Sequence, residues 1–165
     1  MTVKSLIKSL TLPLMRDVNG LAVREMVVNG DMERDSNWAA INEYASVERS
    51  AVQAYNGLYS LLIVASFWTG AWSDLWTSVT GKRYIVEAWI FCTSGTSVAV
   101  GVRNGEDSAF VAGTGEFTVV QNAWTKVGFE FTELAGGSEA HISFITPIGE
   151  ETTMYVDNVS VKEVV

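Results

Sequence analysis

Short apolar runs alternate with turn-forming segments along most of the chain. Within runs such as RYIVEAWIF and TKVGFEFT, apolar and polar positions alternate, which is typical of strands that bury one face. Segments such as TSGT, RNGED and LAGGSE separate the runs and carry the residues that turns favour. The predicted strands are residues 58–67, 71–79, 83–91, 97–103, 117–120, 125–132, 140–146 and 153–161. Strands spaced about ten residues apart predict an all-β fold, an antiparallel β-sandwich or jelly roll.

The last predicted strand carries an acidic residue at an apolar position. Strict alternation places Asp157 on the same face as Tyr155 and Val159, where a sandwich normally has apolar side chains. A buried carboxylate must accept hydrogen bonds or hold a metal ion. The sequence leaves two interpretations open, which are a metal-free turn with backbone amide donors and a cation site.

Composition and charge fit a single globular domain. A chain of 165 residues with 48% hydrophobic and 18% charged residues can bury a sizeable core. The net charge of −8 argues against nucleic acid and anionic membranes as partners, because both attract basic surfaces. Cys92 is the one cysteine, which excludes an intrachain disulfide, and its apolar neighbours predict a buried thiol. No apolar run reaches the length of a membrane span.

The first 25 residues differ in charge from the rest. Of the net charge of −8, residues 1–25 contribute +2 from four basic and two acidic residues, which leaves −10 for residues 26–165. Leucine and isoleucine occur in this segment without a clear period. Two interpretations stay open: an arm that docks on another protein subunit, and an edge strand with a loop that packs on its own domain. We expect residues 1–25 to form a docking arm and residues 26–165 the sandwich. The basic residues are Lys4, Lys8, Arg16 and Arg24.

Five blocks in a fixed order resemble a known group of proteins. These blocks are VVNGDMERDSNWAA, NGLYSLLIV, VTGKRYIVEAWIF, NAWTKVGFEFT and MYVDNVSV. Together they resemble the carbohydrate-binding modules of the family 4, 9, 16 and 22 type over residues 27–161. The resemblance implies a jelly-roll sandwich and a non-catalytic binding function.

The resemblance also implies a structural calcium ion that ties the first strand to the last. Glu33 and Asp157 match the acidic positions that supply its ligands in these modules. Asp31 and the carbonyls of Gly30 and Asn56 are weaker candidates. Calcium takes six to eight oxygen ligands, so such an ion would also satisfy a buried aspartate.

Tryptophans and carboxylates suggest a sugar-binding platform. Alternation places Trp72, Asp74 and Trp76 on one face of the strand at 71–79, and Glu87 and Trp89 on the outer face of the strand at 83–91. Indole rings pack against the C–H faces of a pyranose, and carboxylates accept hydrogen bonds from its hydroxyls. The alternative is that these tryptophans pack against the arm, a neighbouring subunit or the second sheet. By the same resemblance, Trp38 and Trp124 are expected at the core or its edge.

Evidence for catalysis is weak. His141 is the one histidine, without a second His or Cys nearby, and we expect it to face solvent from its strand. The sequence contains no GxSxG, Walker or HExxH motif. A glycosidase requires two carboxylates across a cleft, and Asp74 with Glu87 could supply them in principle. We expect a protein that is not an enzyme.

Three functions follow from these expectations, in order of preference. A recognisable export signal is absent from the first residues, and virion components reach the outside without one. The leading prediction is therefore a bacteriophage virion accessory protein that decorates the capsid or belongs to the tail, located in the virion or outside the cell. We expect it to join an oligomer or larger assembly through residues 1–25. Adhesion to a cell-surface polysaccharide is compatible with this role. The alternatives are a free glycan-binding module and, less favoured, a small glycoside hydrolase.

Overall fold

The protein consists of two antiparallel β-sheets. The structure is a computed structural model, and it describes residues 15–16, 22–105, 109–133, 139–147 and 151–165. Helices are absent from these residues, so the expectation of an all-β sandwich is confirmed. No helix there is long and apolar enough to cross a membrane. The strands are β1 (Met15–Arg16), β2 (Ala22–Glu25), β3 (Trp38–Ala40), β4 (Ala45–Ser50), β5 (Ser60–Ser66), β6 (Gly70–Ser73), β7 (Trp76–Thr77), β8 (Arg83–Cys92), β9 (Ser97–Asn104), β10 (Ala109–Thr118), β11 (Trp124–Thr132), β12 (Glu139–Ile145) and β13 (Glu151–Val164).

The long strand β13 organises the first sheet, which we call sheet A. Along one edge it pairs with β8, and along the other it pairs first with β5 and then with β2. Three further strands lie at the outside of this sheet. β4 pairs with β5, β11 pairs with β8, and β1 pairs with β2. Sheet B has the order β10, β9, β12, β6 and β3, with β7 also paired to β12.

The core lies between the inner faces of the two sheets. In β8, Val86, Ala88 and Ile90 are buried in it, while Glu87 and Trp89 alternate onto the outer face. Sheet B contributes Val100, Val102, Ile142 and Phe144. The predicted outward direction of Trp89 is therefore confirmed. Cys92 is also buried, as expected.

A β-bulge in β13 separates Asp157 from Val159. The register with β8 shifts between Asp157 and Ser160, and Asn158 has a φ of 47°. A bulge adds one residue to one strand, so the alternation of faces reverses beyond it. Val159 therefore lies in the core, whereas Asp157 pairs with outward-facing Trp89. The prediction that Asp157 and Val159 share a face was wrong for this reason.

Other strand boundaries also differ from the prediction. The strand expected at 71–79 divides into β6 and β7, because the chain at Asp74 turns to bond Asn37. β3 and β4 were not predicted, since three residues are too few to show a period and β4 carries polar residues on both faces.

The end of the predicted arm belongs to sheet A. β2 pairs with β13 over residues 23–25, and the Glu25 carboxylate accepts bonds from the Ser160 hydroxyl at 2.6 Å and the Val161 amide at 2.8 Å. Residues 22–25 are thus part of the sandwich rather than a separate arm. Residues 1–14 and 17–21 lie outside the described residues, and docking through them stays a prediction.

Candidate functional site

The five residues predicted to form one platform do not lie together. Trp72 and Asp74 lie on the side of sheet B that faces away from the core, and Glu87 and Trp89 lie on the outer face of sheet A. Trp76 is 7% exposed and belongs to the core, with its ring centroid 5.4 Å from that of Tyr84. The break between β6 and β7 explains this, because alternation no longer connects Trp76 with Trp72. Trp76 is therefore not available to a ligand.

Trp72 and His141 form an aromatic pair on the outer face of sheet B. β6 and β12 are neighbours, with Trp72 directly opposite Ser143, and the ring centroids of Trp72 and His141 are 4.5 Å apart. His141 is only 4% exposed. The expectation that it faces solvent was wrong, because the indole covers it. A cavity of about 270 Å³ adjoins the pair and is lined by Trp72, Ser73, Asp74, Leu75 and His141.

A buried arginine lies beside this histidine. Arg103 is 5% exposed and directly opposite His141 in the β9–β12 pairing. Burial lowers the pKa of His141, and the positive charge of Arg103 lowers it further. Burial lowers the pKa of Arg103 as well. At neutral pH the imidazole is therefore neutral, and its Nε2 has no hydrogen-bond partner in the part of the chain that the structure describes.

The Asp74 carboxylate is held in place by one neighbour. Its Oδ2 accepts a bond from the Asn37 side-chain amide at 2.7 Å, and its backbone amide donates to the Asn37 carbonyl at 2.8 Å. Asn37 has a φ of 72°, a conformation that asparagine tolerates better than most residues. An exposed carboxylate is thereby fixed beside the cavity lined by Trp72 and His141.

This group of side chains has the chemistry of a sugar site. The Trp72 ring offers an apolar surface, and the exposed Asp74 carboxylate offers polar atoms beside the same cavity. Small-molecule sites usually combine an apolar wall with a few fixed polar groups. The arrangement can pack against one face of a pyranose and bond its hydroxyls.

Comparison with known proteins identifies the family. Residues 24–152 match the family described as Carbohydrate binding domain (CBM_4_9). The chain belongs to this family. A search of curated proteins found no match. The predicted resemblance to carbohydrate-binding modules is thus confirmed.

Solved structures resemble this carbohydrate-binding domain in fold. The xylan-binding CBM22-1 domain of Paenibacillus barcinonensis Xyn10C is 17% identical with a TM-score of 0.63, covering 85% of this chain and 92% of its own. The C-terminal family 22 module of Clostridium thermocellum Xyn10B is 20% identical with a TM-score of 0.66, covering 90% and 96%. The enzymatically active domain of bacteriophage CBA120 tailspike protein 4 is 16% identical with a TM-score of 0.59, covering 85% and 21%. At these identities the likeness shows the fold alone, so a virion role is not supported by it.

On sheet A, Trp89 is covered by a residue of the domain's own β4–β5 loop. The Tyr55 ring stacks on it with centroids 3.9 Å apart and an interplanar angle of 14°. Trp124 meets the edge of Tyr55 at 5.7 Å, so it lies on this outer face rather than in the core. Trp38, in contrast, packs at the core edge as expected. Trp89 is thus a support for another ring.

Asp157 holds the same loop through its backbone. Its fully buried carboxylate accepts bonds from the amides of Tyr55 at 2.8 Å and Asn56 at 3.0 Å through Oδ2, and from Asn158 at 2.6 Å through Oδ1. Burial raises the pKa of Asp157, the three amide donors oppose this rise, and the charge of Glu33 adds to it.

Glu33 holds the other end of this turn. Its Oε1 accepts bonds from the amides of Leu58 at 2.8 Å and Tyr59 at 3.2 Å. Gly57, with a φ of 72°, leaves room for it, because a Cβ there would lie 2.2 Å from that oxygen. Glu33 and Asp157 together fasten residues 55–59 onto sheet A.

The other predicted calcium ligands have different surroundings. The Gly30 carbonyl accepts a bond from the Val159 amide at 2.8 Å, Asp31 is exposed, and Asn56 donates its amide to Asp157. Among the described residues, no cluster of three or more acidic, histidine or cysteine side chains is arranged to hold a metal. The side chains thus provide two carboxylates toward the six to eight oxygens that calcium takes. Calcium binding by Glu33 and Asp157 stays a prediction.

The carboxylates considered for a glycosidase are separated. Asp74 follows β6 of sheet B, whereas Glu87 lies in β8 of sheet A and is bonded to Lys126 at 2.5 Å. A glycosidase requires both groups across one scissile bond. Asp74 and Glu87 therefore do not form such a pair.

Sequence reasoning missed three residues that shape these surfaces. Arg103 left a signal, since it is the one charged residue in the apolar run SVAVGVR. His141 carried no signal for burial, because its cover comes from Trp72 on a distant strand. Tyr55 lies in a loop without a period, and its contact with Trp89 depends on tertiary structure.

Proposed function

We propose that this carbohydrate-binding domain binds a glycan, without chemical conversion, at the outer face of sheet B. The observation that carries the proposal is the Trp72 ring packed against buried His141 beside a cavity of about 270 Å³. Asp74 adds an exposed carboxylate at the same place. Membership of the family supports glycan binding as the general function.

The arrangement is prepared for a ligand before binding. The Trp72 ring packs on buried His141, and the Asn37 side chain binds the Asp74 carboxylate. Side chains already ordered in the free protein lose little entropy on binding, so more of the contact energy appears as affinity.

Xylan is the first glycan to test. One structural relative is described as a xylan-binding domain. A neutral polysaccharide also suits a chain with a net charge of −8, since an anionic polymer would be repelled. Cell-surface polysaccharides are the second group of probes, because adhesion was predicted from the sequence.

The test compares partly buried Trp72 with exposed Trp68. We expect Trp72→Ala to weaken binding of soluble xylan or β-glucan oligosaccharides by about 10- to 100-fold in isothermal titration calorimetry, since loss of a central aromatic contact costs about 2 kcal/mol or more. Trp68→Ala is the matched control, because Trp68 is exposed but does not line the cavity. Equal affinities of the wild type and Trp72→Ala would overturn the proposal.

Incorporation into a virion is a separate proposal that rests on the charge of residues 1–25 and on nothing in the fold. Because β2 belongs to sheet A, only residues 1–14 can be removed without cutting that strand or its pairing with β1. Loss of incorporation into the assembly by a folded protein without residues 1–14 would support it. Normal incorporation would contradict it.

A further inference from the structure

We propose a second glycan-binding site on the outer face of sheet A, with the exposed face of the Tyr55 ring as its platform. This surface is separate from the Trp72 cavity, since the two lie on the outer faces of different sheets. The proposal does not rest on the site at Trp72, and each site is testable without the other.

The geometry of Tyr55 is that of a supported platform. The ring stacks nearly parallel on Trp89, with centroids 3.9 Å apart, and Trp124 contacts its edge. Trp89 covers one face of the ring, and Tyr55 as a whole remains 40% exposed. A flat ring with one face open and the other supported is suited to packing against a pyranose.

The backbone under this ring is also fixed. The Tyr55 amide donates to the buried Asp157 carboxylate, and Glu33 binds the amides at the far end of the same turn. Two ring contacts and the hydrogen bond from its own amide thus restrain Tyr55. The amide bonds of Asn56 and Leu58 fix the turn that follows it, which lowers the ordering cost of binding.

Polar groups and a groove lie next to the platform. Lys126 is directly opposite Trp89 in the β8–β11 pairing, and its Nζ contacts the Glu87 carboxylate at 2.5 Å. Their side chains are 49% and 39% exposed, and an exposed ion pair contributes little to stability, so both groups are available to sugar hydroxyls. Gly128 lies opposite Glu87, and a Cβ at this position would lie 2.6 Å from the Val86 carbonyl oxygen. The groove, of about 350 Å³, is lined by Ile85, Val86, Glu87, Lys126, Val127, Gly128, Phe129 and Glu130.

The charges favour a neutral glycan as the occupant. The lining residues include two acidic side chains and one basic one, which disfavours nucleic acid and acidic polymers. A glycan chain can place one ring on Tyr55 and run its next residue along the groove beside Lys126 and Glu87. Binding on both outer faces would allow one domain to link two polysaccharide chains, which raises avidity.

The experiment separates the two sites with a short oligosaccharide that cannot bridge them. In calorimetry with xylohexaose or a β-glucan hexasaccharide, we expect two sites in the wild type, one in Tyr55→Ala, one in Trp72→Ala and none in the double variant. Tyr55→Phe should retain its site, because the ring is kept. Tyr44→Ala is the matched control, since Tyr44 is exposed but has no contact with Trp89.

A second readout locates the ligand. In a ¹⁵N-labelled Trp72→Ala protein, the indole resonances of Trp89 and Trp124 should shift on titration with the same oligosaccharide. If Tyr55→Ala only lowers the melting temperature and keeps two sites, the platform is a structural contact and the proposal is wrong. Loss of self-association in Tyr55→Ala, measured by sedimentation velocity without any change in glycan binding, would assign the platform to a second copy and also overturn it.

The two proposals fail in different ways. If Trp72→Ala removes all binding and Tyr55→Ala none, the second site is wrong and the proposed function stands. If Tyr55→Ala removes all binding and Trp72→Ala none, the second site stands and the site on sheet B fails. A wild-type protein that binds none of the tested glycans contradicts both proposals.

Discussion

The Asp157 carboxylate accepts a hydrogen bond from the backbone amide of Tyr55, which precedes it by 102 residues. This bond connects the last strand to the β4–β5 loop and answers why an acidic residue is buried in β13. The bulge at Asn158 turns Asp157 away from the core and toward that loop. A residue that resembles a metal ligand in the sequence thus has a direct structural role in fixing Tyr55 above Trp89.

Removing this carboxylate should destabilise the domain. Asp157→Ala leaves three backbone amides without their acceptor, and unsatisfied buried groups cost about 1–3 kcal/mol each before water or relaxation compensates. We expect the free energy of unfolding in urea to fall by about 2–4 kcal/mol. Asp31→Ala, a change at an exposed acidic residue of the same region, should alter it by less than about 0.5 kcal/mol. Similar values for the two variants would show that the three bonds contribute little.

Trp76 and Trp72 should respond in opposite ways to truncation. Trp76→Ala removes a core ring that contacts Tyr84 and should cost about 3–5 kcal/mol of stability. Trp72→Ala should cost clearly less and act mainly on glycan affinity, because its ring is only partly buried. Denaturant unfolding and calorimetry measure both effects. A stable Trp76→Ala variant with impaired glycan binding would show that Trp76 contacts the ligand and does not belong to the core.

His141 should make stability depend on pH. Its pKa is lowered by burial and by Arg103, so between that value and the unfolded value of about 6.5 the unfolded chain binds more protons than the native protein. The free energy of unfolding is therefore unaffected by this histidine above pH 6.5. Below that pH it decreases, by at most about 1.4 kcal/mol per pH unit. Unfolding measured from pH 7.5 to 5 should show this loss in the wild type and not in His141→Gln. The same pH dependence in both proteins would assign it to other groups.

Chelation tests the calcium prediction. An ion shared by Glu33 and Asp157 requires that EDTA lower the melting temperature and that calcium restore it, because a ligand at 100 times its Kd stabilises the native state by about 2.7 kcal/mol. The melting temperature of each variant, Glu33→Ala and Asp157→Ala, should then be unaffected by EDTA. If EDTA does not change the melting temperature of the wild type, the calcium prediction is wrong. The backbone amide bonds then explain the positions of both carboxylates.

Two truncations distinguish the arm from the sheet. Removal of residues 1–25 takes away β2 and the Glu25 carboxylate, with its bonds to Ser160 and Val161, and should lower the melting temperature or prevent folding. Removal of residues 1–14 should leave a cooperatively folding domain. Circular dichroism melts of both proteins provide the measurement. Equal stability of the two truncated proteins would show that β2 contributes little to sheet A.

The fold was largely predictable because strand periodicity is local. Alternation in RYIVEAWIF placed Trp89 outward, and the structure agrees. The bulge at Asn158 and the break after Ser73 were not predictable, since each depends on partners elsewhere in the chain, such as Asn37 for Asp74. One missed residue of this kind reverses the face of every residue beyond it.

The candidate site was predictable only in part, because strand pairing is not encoded in local pattern. Trp72 and Asp74 were recognised from residue type, but assigning Trp89 and Glu87 to the same platform required a pairing that does not occur. His141 became part of the site only through the neighbouring position of β6 and β12. Tyr55 came from a loop whose path is set by Asp157 and Glu33.

The most direct test of glycan binding on sheet B is a two-dimensional NMR titration of the ¹⁵N-labelled wild-type protein with a xylan or β-glucan oligosaccharide. We predict saturable shifts of the Trp72 indole resonance and of backbone amides 72–75 and 141–143, which surround the cavity beside His141. The Trp68 indole resonance, outside the cavity, should stay in place. Saturation of the protein with a bound glycan while the Trp72 resonance remains unchanged would contradict the proposed site.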